Sequence, residues 1–236
     1  MSNISPGPDD EGRRTFLKMM GVLGVGLVGA GALRGVIQNL LPSTSNVVSA
    51  FPTLILISGS GSPIKTGDIT VNAPTVVLFQ YPLENEPNFL LRLGDANNND
   101  KAIESVSVSV PATGKSFQSP GGVGAYRSIV ASSAICQHLG CDPPEIRFHP
   151  PSDASFPGLV HCDCHGSTYD PSKGFAVVTG PTTQPLPNAI LSYDSTNDTY
   201  KVVNMVGPTI YGHSNDLSGG NQLPSKTTTT VLVQGS

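Results

Sequence analysis

The chain is 236 residues long, with 13 Lys and Arg against 17 Asp and Glu and a formal net charge of −4, a balance that argues against nucleic acid as a partner. Charged residues make up only 13% of it, about half the usual share for a soluble domain, and Ser, Thr, Asn and Gln take the polar role. A surface whose solvation does not depend on ionised carboxylates suits an acidic exterior.

In chain order, the first signal is Gly12-Arg13-Arg14-Thr15-Phe16-Leu17-Lys18, followed by an uncharged run from Met19 to Leu33 rich in Gly, Val, Leu and Ala. Twin arginines before Phe-Leu-Lys and a Gly-rich apolar stretch resemble a twin-arginine export signal. From Phe16 to Leu33 is 18 residues, about 27 Å of helix, close to the thickness of a bilayer's hydrocarbon core. Arg13, Arg14 and Lys18 precede the run and only Arg34 follows it, so the positive-inside rule puts the N-terminus in the cytoplasm and the remainder on the outer face of the membrane. Residues 1–14 therefore read as the cytoplasmic N-terminus, 15–39 as one transmembrane signal-anchor helix and 40–50 as a flexible linker containing Pro42-Ser43-Thr44-Ser45-Asn46. Ala30-Gly31-Ala32 offers a cleavage site, which is the competing reading of the same segment.

Residues 51–236 are long enough for one domain with a real core, and that domain reads as all-β. Short β-branched stretches separated by Gly, Pro, Asn and Ser predict strands at Thr53–Ile57, Val76–Tyr81, Phe89–Leu93, Glu104–Val110, Tyr126–Ala131, Gly158–Cys162, Ile190–Tyr193 and Thr199–Asn204. Asp194–Asp198 is a hairpin loop, and its Asn197-Asp198-Thr199 is a glycosylation sequon of low information. The stretch from Asp142-Pro143-Pro144 to Pro150-Pro151 reads as a surface insertion. The tail from Asn215 reads as a loosely held strand or extended segment with no chemistry in it.

All four cysteines fall in two boxes, Cys136-Gln137-His138-Leu139-Gly140-Cys141 and Cys162-Asp163-Cys164-His165-Gly166-Ser167. Two sulfur and two nitrogen donors would suit a tetrahedral zinc, but that leaves one cysteine per box unused. A [2Fe–2S] cluster with two thiolates on one iron and two imidazoles on the other needs one Cys-x-His pair and one Cys-x-x-His pair. Cys136/His138 and Cys162/His165 are such pairs. The boxes together resemble the Rieske iron–sulfur proteins, specifically the disulfide-bearing, quinol-oxidising kind of cytochrome bc and quinol oxidase complexes; the match is specific over roughly residues 126–190 and weak outside them.

That resemblance implies a Rieske-type antiparallel β-sandwich with a small cluster-binding subdomain inserted at about residues 132–187, holding one [2Fe–2S] cluster. It implies Cys136, His138, Cys162 and His165 as ligands and a Cys141–Cys164 disulfide tying the two loops together. Ser167 and Tyr169 fall where high-potential members place hydroxyls that bond a bridging sulfide and a ligand sulfur. Gly180-Pro181-Thr182-Thr183-Gln184-Pro185-Leu186-Pro187 is similar to the proline-rich loop that shields the cluster. Gln137 departs from the family's common Thr, a change expected to be tolerated because the side chain is not a ligand. His149, His161 and His213 lie outside the motif spacing and read as surface or locally hydrogen-bonded imidazoles.

The function so implied is that of a membrane-anchored subunit of a quinol-oxidising oxidoreductase complex. His165, with His138, would accept an electron and a proton from quinol held by a cytochrome b-type subunit. Leu139 would pack beside them, and a cytochrome or oxidase would be the acceptor. The export signal fits, because a carrier loaded with its cluster in the cytoplasm must cross the membrane folded. Two other classes compete: the small Rieske subunit of an exported molybdenum oxidoreductase such as arsenite oxidase, and a Rieske ferredoxin of a dioxygenase, against which the export signal and the spare cysteines speak.

Overall fold

The structure is a computed structural model that describes residues 51–234. The expected export signal, anchor helix and linker lie outside the described residues. Fourteen strands run in chain order as β1 (Leu54–Ile57), β2 (Thr75–Gln80), β3 (Pro87–Arg92), β4 (Val106–Val110), β5 (Lys115–Ser119), β6 (Ile129–Ser133), β7 (Ile146–Phe148), β8 (Val160–Cys162), β9 (Ser167–Asp170), β10 (Ala176–Thr179), β11 (Asn188–Asp194), β12 (Thr199–Val206), β13 (Thr227–Thr229) and β14 (Val231–Gln234). Apart from two single-turn 3₁₀ helices, Thr66–Asp68 and Pro171–Lys173, no helix occurs among the described residues. The domain is all-β, as expected from the sequence.

Eight strands form one sheet in the order β13-β1-β12-β11-β6-β3-β2-β14, and β10-β9-β8-β7 form a second sheet; β4 and β5 pair as a separate hairpin. The large sheet's two edge strands, β13 and β14, are separated by Thr230 alone. The sheet therefore folds back so that one short segment joins its edges. The threonines of that segment explain how: Thr228 pairs in register with Leu56 of β1 while its hydroxyl donates to the Gln80 carbonyl of β2 at 2.8 Å, and both N–H and hydroxyl of Thr230 bond the Ile57 carbonyl. The tail is thus a built closure and not a loosely held end. Covering both edges in this way removes open ladder groups. The β1–β13 pair is parallel; the other paired strands are antiparallel.

Successive residues of a strand point to opposite faces, and β2, β3 and β6 are apolar on both. Val77, Phe79, Leu90 and Ala131 face a core shared with Leu54, Leu56, Leu191, Tyr200 and Val202, inside the folded sheet. Val76, Leu78, Phe89, Leu91 and Val130 face a second core with Ile146, Phe148, Val160, Tyr169 and Phe175, which belong to the segments carrying the small sheet. These central strands consequently read as continuous apolar runs rather than alternating ones. The small sheet β7–β10 lies between β6 and β11 in the chain and uses the outer face of the large sheet as its bed. Within it, the stretch read as a surface insertion contains β7, whose Ile146 and Phe148 are buried. Its prolines belong to the flanks, and the apolar pair at its centre pulls it into the second core.

Candidate metal centre

The two cysteine boxes fold into matching turns. Gly140 donates its N–H to the Cys136 carbonyl, and Gly166 to the Cys162 carbonyl, both at 2.9 Å. Each glycine has a left-handed φ, 79° and 83°, which closes a turn that most residues would strain. The Cys136 N–H donates to the Cys141 carbonyl at 2.8 Å, tightening the first loop further. Cys141 and Cys164 are joined as a disulfide with Cα atoms 6.9 Å apart, as the resemblance implied, so the two loops are covalently tied. Cys136 and Cys162 remain as free, buried thiols on the second core. The Cys162 sulfur also lies within 4.8 Å of both disulfide sulfurs, but sulfurs bonded to each other have no thiolate to offer a metal, so those three do not make a site.

The two histidines of the boxes meet edge to face, ring centroids 4.8 Å apart. His165 is exposed and His138 half-buried, and His138 Nδ1 is buried with no protein partner. Leu139 beside them is 55% exposed. A buried orphan nitrogen and two free buried thiols are what a metal centre would satisfy, since unpaired buried polar atoms are otherwise costly. The residues present fit a centre with two thiolate and two imidazole donors.

Tyr169, on β9 and fully buried, turns its hydroxyl into this site. Its Oη accepts the Gln137 N–H at 3.1 Å and lies 3.3 Å from the Cys136 sulfur, so the phenol proton is left for that sulfur. Burial raises the Tyr169 pKa above the ordinary phenol range, with the neighbouring Cys136 adding to it; the group stays a donor. Ser167 Oγ is fully buried with no protein partner in hydrogen-bond geometry, yet it stands near enough to the Cys136 sulfur to lower its pKa slightly. That contact is loose, and the oxygen keeps capacity for another partner. A hydrogen bond from the Cys162 thiol, helped by Tyr169, holds the Cys136 thiol down to about 5 against the effect of burial. The same contact, with burial, pushes Cys162 up. The third loop closes over the second: a Cβ at Gly180 would lie 2.5 Å from the Gly166 carbonyl oxygen and the Ser167 Cα. Leu186 and Pro187 at its end are buried, and the Pro187 carbonyl accepts the Ser133 N–H at 2.9 Å.

The family model of the Rieske [2Fe–2S] domain matches residues 117–190. This segment is a Rieske domain. A Rieske domain binds one [2Fe–2S] cluster and serves in electron transfer. The soluble domain of the Rieske protein II (soxF) from Sulfolobus acidocaldarius is similar at 25% identity, over 76% of this chain and 89% of that one, with a TM-score of 0.49. The two-and-two zinc reading has the same donors available but leaves the Rieske match and the Tyr169 hydroxyl unexplained.

The remaining histidines of the Rieske domain are buried and locally hydrogen-bonded, the second of the two readings their positions allowed. His161 is stacked on Phe156 at 3.6 Å and bonds Thr168 Oγ1 at 2.8 Å; His149 Nδ1 lies 2.6 Å from Asp153 Oδ2. Outside it, His213 Nε2 lies 2.6 Å from Glu86 Oε1. Gln137, expected to be merely tolerated, is buried, and its side chain donates to the Thr209 carbonyl while its backbone N–H donates to Tyr169 Oη.

Proposed function

We propose that this chain is the membrane-anchored Rieske subunit of a quinol-oxidising bc-type or quinol oxidase complex, with Cys136, Cys162, His138 and His165 holding the cluster. The observation that carries this reading is the division of the four donors by burial: both thiols lie on a packed core, while His165 is exposed and His138 half-exposed beside the projecting Leu139. A substrate that gives up an electron and a proton together needs a base at the surface, and imidazole is suited to that role.

When bound, the cluster supplies a one-electron couple whose potential, for His₂ ligation, falls at roughly −150 to +300 mV. The chain's own residues do the rest. His165 presents its outer nitrogen to a quinol hydroxyl as acceptor, and Leu139 gives that contact an apolar flank. Tyr169 and Ser167 place hydroxyls against the sulfur side, where they favour added negative charge. The Gly180–Pro187 loop and the Cys141–Cys164 disulfide hold the two ligand loops together and limit water around the buried donors. Transfer onward to a cytochrome would use the linker at residues 40–50 as a tether, the kind of gating motion that limits many turnovers.

EPR spectra of membranes carrying the chain, recorded before and after addition of quinol, test this directly. Appearance of the reduced-state Rieske signal on addition of quinol, with cytochrome b co-purifying, supports the reading. Co-purification with a molybdenum protein instead would move the chain to the exported molybdenum oxidoreductases.

A further inference from the structure

The segment 207–218, which follows β12, touches the first ligand loop at two points. Gln137 stands between Cys136 and His138 and is only 6% exposed; its Nε2 donates to the Thr209 carbonyl at 3.2 Å. Its backbone N–H is the one held by Tyr169 Oη. One residue thus ties the loop on one side to the hydroxyl that faces the Cys136 sulfur and on the other to a segment 72 positions away. The second point is Gly140, where an added Cβ would lie 2.7 Å from the Tyr211 ring. The ring therefore rests directly on the backbone of the turn.

The far end of the segment is anchored away from the centre. His213 Nε2 lies 2.6 Å from Glu86 Oε1, their side chains 14% and 7% exposed, and His213 Nδ1 lies 2.7 Å from the Ser218 carbonyl. A carbonyl only accepts, so Nδ1 carries a proton and a second proton lies between Nε2 and the carboxyl group. Asp216 Oδ1 accepts the Ile210 N–H at 2.8 Å, closing the segment on itself between its two contacts. Among the described residues, the contacts from this segment to the first ligand loop run through Gln137 and Tyr211.

Resting on the ligand assignment above, we propose that residues 207–218 are a positioning strap for the first ligand loop. Gln137 and Tyr211 are its positioning residues and the Glu86–His213 contact is its anchor. The physical reason is that the loop's own ties, the Gly140 turn and the disulfide, fix its ends but leave the Gln137-His138-Leu139 crest to be held from outside. Groups that orient ligands without binding the metal alter metal affinity by roughly 10–100-fold when removed.

The test uses the full chain with its cluster, in Gln137→Ala, Tyr211→Ala, Tyr211→Phe and His213→Ala forms. Iron release to excess EDTA, the EPR line shape of the reduced state and the Tm are measured on each. The strap predicts release on the order of 10-fold faster and a broadened signal for Gln137→Ala and Tyr211→Ala, with Tyr211→Phe behaving as wild type. His213→Ala, remote from the centre, should shift the same two readouts. Combined with Gln137→Ala it should add less than its separate effect, because part of its action runs through the Gln137 contact. Variants that lose only Tm, with release and line shape unchanged, would overturn the strap. Tyr211 is 39% exposed, so its truncation keeps the test valid if Gln137→Ala does not fold. A wild-type chain that holds no [2Fe–2S] signal would instead overturn the ligand assignment, and the strap with it.

Discussion

Removing the Tyr169 hydroxyl should lower the cluster's reduction potential, and the surroundings of that hydroxyl set the size of the change. Tyr169 Oη lies 3.3 Å from the Cys136 sulfur and has its acceptor side taken by the Gln137 N–H at 3.1 Å, so its proton is directed at the sulfur. The reduced centre carries one more negative charge than the oxidised one, and a donor aimed at it stabilises the reduced form more. A difference of about 1 kcal/mol per hydrogen bond, within the range for bonds to charged groups, corresponds for one electron to about 40 mV. Tyr169→Phe should therefore move the midpoint down by tens of millivolts and slow quinol oxidation. It also strips the buried Gln137 N–H of its acceptor, which costs about 1–3 kcal/mol. Ser167 differs: its oxygen has no protein partner in hydrogen-bond geometry, so Ser167→Ala should lower the midpoint with little loss of stability. The assay is a redox titration of the full chain followed by EPR, with thermal unfolding on the same samples. Unchanged or raised midpoints in variants with full iron content would refute the reasoning, because the hydroxyls would then act elsewhere.

Replacing Cys136, His138, Cys162 or His165 should abolish the EPR signal and the bound iron, whereas Cys141→Ser and Cys164→Ser should keep some cluster while losing about 2–4 kcal/mol of stability; the opposite pattern would reverse the assignment of the cysteines. Alkylation of the native, loaded chain should label no cysteine, since two are joined and two are buried, and mass spectrometry would reveal any that is modified. Burial above all raises Glu86, and likewise Asp216, so their contribution to stability is full below the ordinary carboxylate range and is lost as pH rises through the folded-state values; His161, lowered chiefly by burial, contributes the opposite way. Asp100, lowered chiefly by its hydrogen bond from Arg92, also contributes the opposite way, and its share is lost as pH falls below the carboxylate range. In Glu86→Gln the loss of stability as pH rises should be smaller than in the wild type; thermal unfolding curves with the same pH dependence in both would refute this.

Much of the site was legible because its chemistry is local in the chain. The two boxes gave the expected ligand pairs, the disulfide partners and the positions of Ser167 and Tyr169 from spacing and resemblance together. Each of the eight strands predicted overlaps a strand of the structure. Of the six that escaped, three have a physical reason. Lys115-Ser116-Phe117-Gln118-Ser119 is an exposed hairpin arm with almost no buried face, so no alternation marks it. Ile146–Phe148 is three residues between prolines. Ser167–Asp170 is polar by composition yet has three of its four residues buried, because the site needs hydroxyls there. Gln137 could not be read as a structural residue, since its partner Thr209 is 72 positions away and no local pattern reports a contact of that range.

The double use of β2, β3 and β6 links the fold to the chemistry. One face of these strands completes the core of the large sheet, and the other receives Phe148, Tyr169 and both free thiols. A strand buried on both sides is pinned in register, because a slip of one residue would exchange its two faces. The bed under the thiols is therefore fixed by packing that has nothing to do with a metal, and the small sheet inherits that rigidity through β8 and β9. The imidazoles, by contrast, leave this core for solvent. Large-to-small changes at Phe89, which is fully buried on the face toward the thiols, should thus disturb the sulfur side first: a loss of about 3–5 kcal/mol is expected for Phe89→Ala, accompanied by easier iron loss. Phe79→Ala, equally buried but on the opposite face, should cost a similar amount while leaving the EPR line shape of the surviving folded protein unchanged. If both variants altered the line shape alike, the two faces would not be mechanically separate, and the central strands would be transmitting strain from one core to the other.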